Sequence, residues 1–158
     1  MLVSIELALS PKATYPRLAH ALDMSLSEVH GAVRRATAAG LLTDDRQANA
    51  TALVEFIVHG VKYVWAAKRG GLTRGVPTAH GAPPLDGELV VEEPVPVWPD
   101  PHGSVRGESF EPLYPSVPKA AKGNPRLHEV LSLVDAIRGG RARERKLAEK
   151  HLRRILAA

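Results

Sequence analysis

Cysteine is absent from the 158 residues, which removes disulfides, thiolate metal sites and cysteine nucleophiles together and fits a reducing cytoplasm. Aromatic residues make up only 4%, so the core must come mainly from Leu, Val, Ile and Ala, and large stacking platforms are not expected. No apolar run approaches the ~20 residues that span a bilayer, and Met1 to Leu9 lacks a basic leader. Neither a membrane span nor a signal peptide is expected, and the reading is of a soluble cytoplasmic protein. Catalytic patterns are missing as well. None of His20, His30, His59, His80, His102, His128 and His151 stands at metal-ligand spacing, and the acidic pairs Asp44-Asp45 and Glu92-Glu93 place neighbours on opposite faces of an extended chain. There is no Gly-x-Ser-x-Gly elbow and no phosphate-binding loop ending in Gly-Lys-Ser or Gly-Lys-Thr. No catalytic residue, metal or cofactor is therefore expected.

What is present is an uneven distribution of charge. The net charge of +4 divides into +3 over residues 1–75, −4 over 76–123 and +5 over 124–158. Basic ends and an acidic middle suit a protein whose ends approach phosphates, the alternative being a solvated surface of uneven charge. Composition divides the chain in the same places: 10 of the 13 prolines lie between Val76 and Pro118. That region is expected to be an acidic, loop-rich connector, with Glu88 to Val91 and Val95 to Trp98 as short edge strands. Asn124-Pro125 is a cap followed by proline at the first helical position. Leu127, Val130, Leu131, Val134 and Ile137 then form one stripe that Gly139-Gly140 ends. A second, basic helix carrying Leu147, Leu152, Ile155 and Leu156 follows, so a C-terminal helical hairpin is expected with one face left to cover the first domain or a second copy of the chain.

The N-terminal region holds the most specific pattern. Val3 to Leu9 forms a short apolar helix closed by Ser10-Pro11, and Tyr15 to Leu22 forms a second with Leu18, Ala19 and Leu22 inward. After Asp23-Met24, the run Ser25-Leu26-Ser27-Glu28 reads as a capping box opening a third helix, Leu26 to Ala39, whose inward face is Val29, Ala32, Val33 and Ala36. Gly40-Leu41-Leu42 ends it. Such a capped second helix presents its first turns to a major groove, and Ser27, His30, Gly31, Arg34 and Arg35 lie on its outer side. Arg34 or Arg35 can donate two parallel hydrogen bonds to guanine or pair with phosphate, Ser25 and Ser27 at the helix start suit phosphate, and Gly31 permits close approach.

Leu18-Ala19 through Leu22, Met24-Ser25, Val29 and Ala39-Gly40-Leu41-Leu42 resemble the helix-turn-helix of MarR-like winged-helix regulators over about the first third of the chain. The resemblance implies binding of double-stranded DNA by helix Leu26 to Ala39, usually as a dimer, with a β wing on the adjacent backbone. The chain departs from that family in its short leading helix and in the proline-rich insert before its tail. Leu41 to Thr43 is expected as the first wing strand, Ala52 to Val58 as a helix capped by Asn49, and Val61 to Trp65 as a second strand. The glycine-rich stretch Lys68 to Gly75 then reads as a wing tip, with Lys68, Arg69 and Arg74 on phosphate. Thr73 to Thr78 with His80 offers a second, weaker pattern, a pocket for an anionic effector.

The expected fold is thus mainly α with a small β wing: a winged helix-turn-helix domain over 1–75, a connector over 76–123 and a helical hairpin over 124–158. The function expected is a sequence-specific transcriptional regulator of double-stranded DNA, a homodimeric repressor. The alternative is an antitoxin or adaptor that holds a partner protein encoded nearby through its C-terminal half and autoregulates its operon.

Overall fold

The computed structural model describes residues 1–156; Ala157 and Ala158, the end of the expected hairpin, lie outside the described residues. Among these there are eight helices and a small three-stranded sheet, a mixed and mainly helical fold. No described helix is long and apolar enough to cross a membrane.

Four of the eight helices start where a cap side chain can accept from an unpaired N–H. Thr14 opens α2 (Tyr15–Leu22) by accepting from Arg17 N–H at 3.4 Å, with proline in the first turn, where its missing donor costs nothing. Ser25 opens α3 (Leu26–Ala38) through a full capping box: its hydroxyl accepts from Glu28 N–H at 3.2 Å while Glu28 Oε2 accepts from Ser25 N–H at 2.8 Å. Asn49 opens α4 (Ala50–His59), and Asn124 opens α7 (Pro125–Gly139), each accepting from the N–H three residues on at 3.1 Å. By contrast, α1 (Leu2–Leu9) has no side-chain cap and is held by burial of Leu2, Val3, Ile5 and Leu7.

Three sequence expectations for the wing are corrected. Val61 to Trp65 is not a strand but one further helical turn, α5 (Val61–Val64), in which Trp65 N–H reaches Val61 O at 2.8 Å. Gly60 has helical angles (φ −107°, ψ −34°), so the chain carries on from α4 instead of extending, and Val61 is buried while Tyr63 is 78% exposed. The basic stretch expected as an open wing tip is instead a strand, β1 (Arg69–Pro77). It pairs antiparallel with β2 (Pro96–Pro99) and with β3 (Val105–Phe110), and β2 and β3 pair in parallel, which closes the sheet on itself. Gly70-Gly71 takes up a register shift between the Arg69–Phe110 and Leu72–Glu108 pairs. Finally, the first wing strand is reduced to a single antiparallel bridge, Leu42 to Ala48, around a turn in which Thr43 N–H donates to Gln47 O at 2.9 Å.

Within the proline-rich region Val95 to Trp98 corresponds to β2, its prolines confined to the strand ends where a missing donor is tolerated. Glu88 to Val91 is not a strand. Gly75 and Gly107 allow the small sheet to close, because a Cβ at either would overlap the backbone carbonyl of Trp98 or Val95 respectively. A short helix, α6 (Val117–Gly123), ends the region.

The hairpin of α7 and α8 (Ala142–Leu156) forms as its caps and stripes require. Its first helix is buried nearly all round: Leu127, Val130, Leu131, Leu133, Val134 and Ala136 are all fully buried. It packs on α1, α4, α5, α6 and α8, so one apolar cluster runs from Leu2 to Leu156 through all three compositional regions. The compositional boundary at Gly75 falls inside β1.

Full burial of α7 forces its polar residues to find partners. Asp135 Oδ2 accepts from Thr78 Oγ1 at 2.7 Å and Trp98 Nε1 at 2.6 Å, while Oδ1 accepts from Arg138 Nε at 2.8 Å. Arg138 also donates to the carbonyls of Trp65 (3.4 Å) and Glu111, and its guanidinium lies 4.8 Å from the centre of the Phe110 ring. This one ion pair joins α7 to the ends of α5, β1 and β3 and to β2.

Candidate nucleic-acid interface

The interface is built from α2, α3 and the turn between them. Asp23 ends α2 in the left-handed conformation (φ 50°, ψ 47°), turning the chain within three residues to Ser25. Burial of Val29, Val33 and Ala36 fixes the rotation of α3. Packing against α1 and α2 covers that side; Ser27, Gly31 and Arg34 lie opposite, while His30 flanks it beside Tyr15 and Arg35 flanks it at a cavity of about 380 Å³ shared with Met1, Met24 and Tyr114. Ser27, His30, Arg34 and Arg35 are exposed and Gly31 is half-buried.

Their surroundings differ. Among the described residues neither Arg34 nor Arg35 has a salt bridge or hydrogen bond, which leaves both guanidinium groups their full set of donors. The Arg35 guanidinium reaches back over Gly31, where a Cβ would lie 3.1 Å from Nη1. His30 is stacked on Tyr15 at 3.9 Å, at the α2 edge of the helix. The Ser25 hydroxyl is engaged in the capping box, while Ser27 stands free of intramolecular bonds among the described residues.

Two residues of the proline-rich region clamp this unit from the other side. Lys119 Nζ lies 2.6 Å from Asp23 Oδ1 at the turn, and the Tyr114 hydroxyl donates to Glu28 Oε1 at the start of α3. That bond, joined by those from the Ser25 hydroxyl and backbone, holds the Glu28 carboxyl down to about 2; the same contact raises the Tyr114 phenol. A depressed folded-state pKa adds stability above the ordinary glutamate range, lost as pH falls from there toward about 2. Tyr114→Phe is expected to move the Glu28 titration up toward the ordinary value, read by carboxyl NMR. An unmoved titration would mean that the cap alone sets it.

The basic residues placed on the wing lie elsewhere. Lys68 sits 3.2 Å from Glu111; Arg69 bonds Glu108 at 2.5 Å and Gly139 O at 3.0 Å; Arg74 donates to Gly103 O at 3.4 Å. They are engaged along a strand rather than displayed on a loop. Sequence reasoning missed Arg46, which follows α3 on the short turn closed by Leu42 and Ala48. Its guanidinium lies 4.7 Å from the centre of the Tyr15 ring, beside stacked His30, and it adopts φ 62°. The signal in the sequence was slight: a single arginine after two aspartates.

The stretch expected to form an anionic pocket does not gather around one cavity. Thr78 is fully buried against Asp135. His80 lines a cavity of about 620 Å³ in which carboxylates from Glu92, Glu93, Glu108 and Glu144 face Arg69, Arg141 and Arg143, a balance of charge that gives an anion no preference. Among the described residues no group of three or more His, Asp or Glu side chains is placed to hold a metal ion. Comparison with protein families, with curated proteins and with solved structures found no match to this chain.

Proposed function

We propose that the chain is a sequence-specific regulator that binds double-stranded DNA as a homodimer, with α3 as its reading helix in a MarR-like winged helix-turn-helix arrangement. The observation that carries this reading is the outer face of α3. A helix capped at Ser25 and fixed by Val29, Val33 and Ala36 presents Ser27, Gly31, Arg34 and Arg35 outward, both guanidinium groups without an intramolecular partner among the described residues. The outer face with Ser27, Gly31 and Arg34 is open to a major groove, while the helix start itself is held by the capping box and by Tyr114. On this reading the short turn bearing Arg46 takes the wing's place beside the backbone. Lys68, Arg69 and Arg74 contact DNA only by exchanging partners they already hold, so they add little to affinity.

The test is to select genomic fragments retained by the purified protein and to measure affinity for them against salt. A dimer that neutralises about six phosphates loses about a thousandfold in affinity between about 50 and 200 mM salt. Retention of no fragment, or binding that ignores both sequence and salt, would remove the reading.

A further inference from the structure

The outer face of α8 is left uncovered by the fold described above. That helix carries six basic and two acidic residues, and one side of it opens into a groove of about 670 Å³ lined by Arg143, Lys146, Lys150 and Arg153, by Leu147, and by the acidic Glu88 and Glu149, the latter paired with Arg153. The positions recur at helical spacing, placing an apolar floor between cationic walls. Arg143, Lys146 and Lys150 have no salt bridge or hydrogen bond among the described residues. Beside this groove runs the loop 86–94, whose charge is the reverse: Leu89-Val90-Val91 is bracketed by Asp86 and Glu88 on one side and Glu92-Glu93 on the other. Val90 is 92% exposed, an unusual position for an aliphatic side chain in a folded loop.

The loop cannot fill the groove of its own chain in this arrangement. Glu88 Oε1 lies 2.6 Å from His151 Nε2, at an angle that leaves the ring short of a proper hydrogen bond, and Glu92 Oε2 lies 3.3 Å from Arg141. Glu88 is thus held at the groove's rim and Glu92 at the neighbouring cavity, with Val90 exposed between them. A basic groove with an apolar floor next to an acidic loop with an apolar tip is self-complementary under a twofold axis, each copy giving its loop to the other's groove. We infer that this face joins two copies of the chain, Val90 of one packing on Leu147 of the other and Glu92 and Glu93 facing Lys146 and Lys150. Nucleic acid is a poor occupant, because the acidic loop at the groove's edge repels phosphate. A second copy is favoured over an unrelated protein because the matching segment is on this chain.

The surface names the contact of the homodimer proposed above but needs no DNA, so the two readings fail separately. The full chain is examined without DNA by sedimentation and light scattering, at low and high salt. Wild type is expected to be dimeric, weakened by salt. Lys146→Glu with Lys150→Glu, and separately Glu92→Lys with Glu93→Lys, are each expected to weaken the dimer by about tenfold or more, since like charges then meet at both halves of the contact. An equimolar mixture of the two variants is expected to regain the dimer, because reversed groove meets reversed loop and native groove meets native loop. This rescue separates the contact from any loss of folding. A monomeric wild type, a dimer indifferent to both variants, or a mixture that stays monomeric would overturn the assignment.

Discussion

Asp135→Ala is expected to lower thermal stability by about 3–5 kcal/mol, the cost typical of removing one partner from a buried ion pair. At roughly 2–4 °C per kcal/mol for a chain of this size, the melting temperature should fall by about 10 °C. The magnitude follows from what would be left behind. The Asp135 and Arg138 side chains are 1% and 2% exposed, so the alanine variant leaves a guanidinium in the core without a counter-charge. It also strands the Thr78 hydroxyl and the Trp98 indole N–H. Burial raises the Asp135 pKa, while Arg138, Thr78 and Trp98 pull it down. An acid whose folded pKa is raised adds stability through protonation only at low pH and loses it as pH rises through that raised value. The hydrogen bonds from Arg138, Thr78 and Trp98 favour the charged form of Asp135 against that burial. Asp135→Asn keeps an acceptor but not the charge, and is expected to fall between wild type and alanine. A calorimetric melt of the three proteins checks the order; a change below about 1 kcal/mol for alanine would show that water relieves Arg138.

Arg34→Ala and Arg35→Ala are each expected to weaken binding to a selected operator by about 1–3 kcal/mol, or about ten- to a hundredfold. The pattern across sequences distinguishes their roles. An arginine that bonds guanine O6 and N7 relaxes specificity at one base pair when removed. One that pairs with phosphate weakens every site alike and lowers the salt slope by about one. Arg35 reaches back over Gly31 and lines a cavity with Met1 and Tyr114 in which Arg34 has no part. Arg34 is therefore expected to show the base-specific loss and Arg35 the uniform one. Fluorescence anisotropy with the operator and single-base variants of it reads both. Unchanged affinity in both variants would remove α3 as the reading helix while leaving the self-association face untouched.

The parts of this fold legible in the sequence are those written locally. Thr14, Ser25, Asn49 and Asn124 are caps whose partners lie three residues away, and apolar stripes at helical spacing locate α2, α3, α7 and α8. Val61 to Trp65 failed because five residues cannot separate a period of two from one helical turn. The small sheet was hidden for another reason. β1 pairs with residues about 20 to 40 positions later, in a stretch whose prolines argue against strands, and no local pattern carries such a pairing. Helix α6 did have a local sign, Pro118 in its first turn, which the surrounding prolines obscured. Asp135 was invisible as a core residue because the stripe on α7 reads as one-sided, whereas the helix is enclosed on all sides. The outer residues of α3 were placed as expected because burial of Val29, Val33 and Ala36 determines them. Arg46, Tyr114 and Lys119 were not, since their places depend on chain that folds back from elsewhere.

Closure of the three strands has one more consequence. A sheet that ends in an open strand offers a row of unused amides and carbonyls along which a foreign strand can zip, the usual route to runaway aggregation and to recognition by strand addition. Here β1 is bonded to β3 over Arg69–Gly75 and to β2 over Gly75–Pro77, and β2 and β3 are bonded to each other through Pro96–Glu108 and Val97–Ser109. The backbone at the closed end, around Gly75, is thereby withdrawn from intermolecular pairing. Concentrated solutions of the folded chain should resist fibril formation through this closed end.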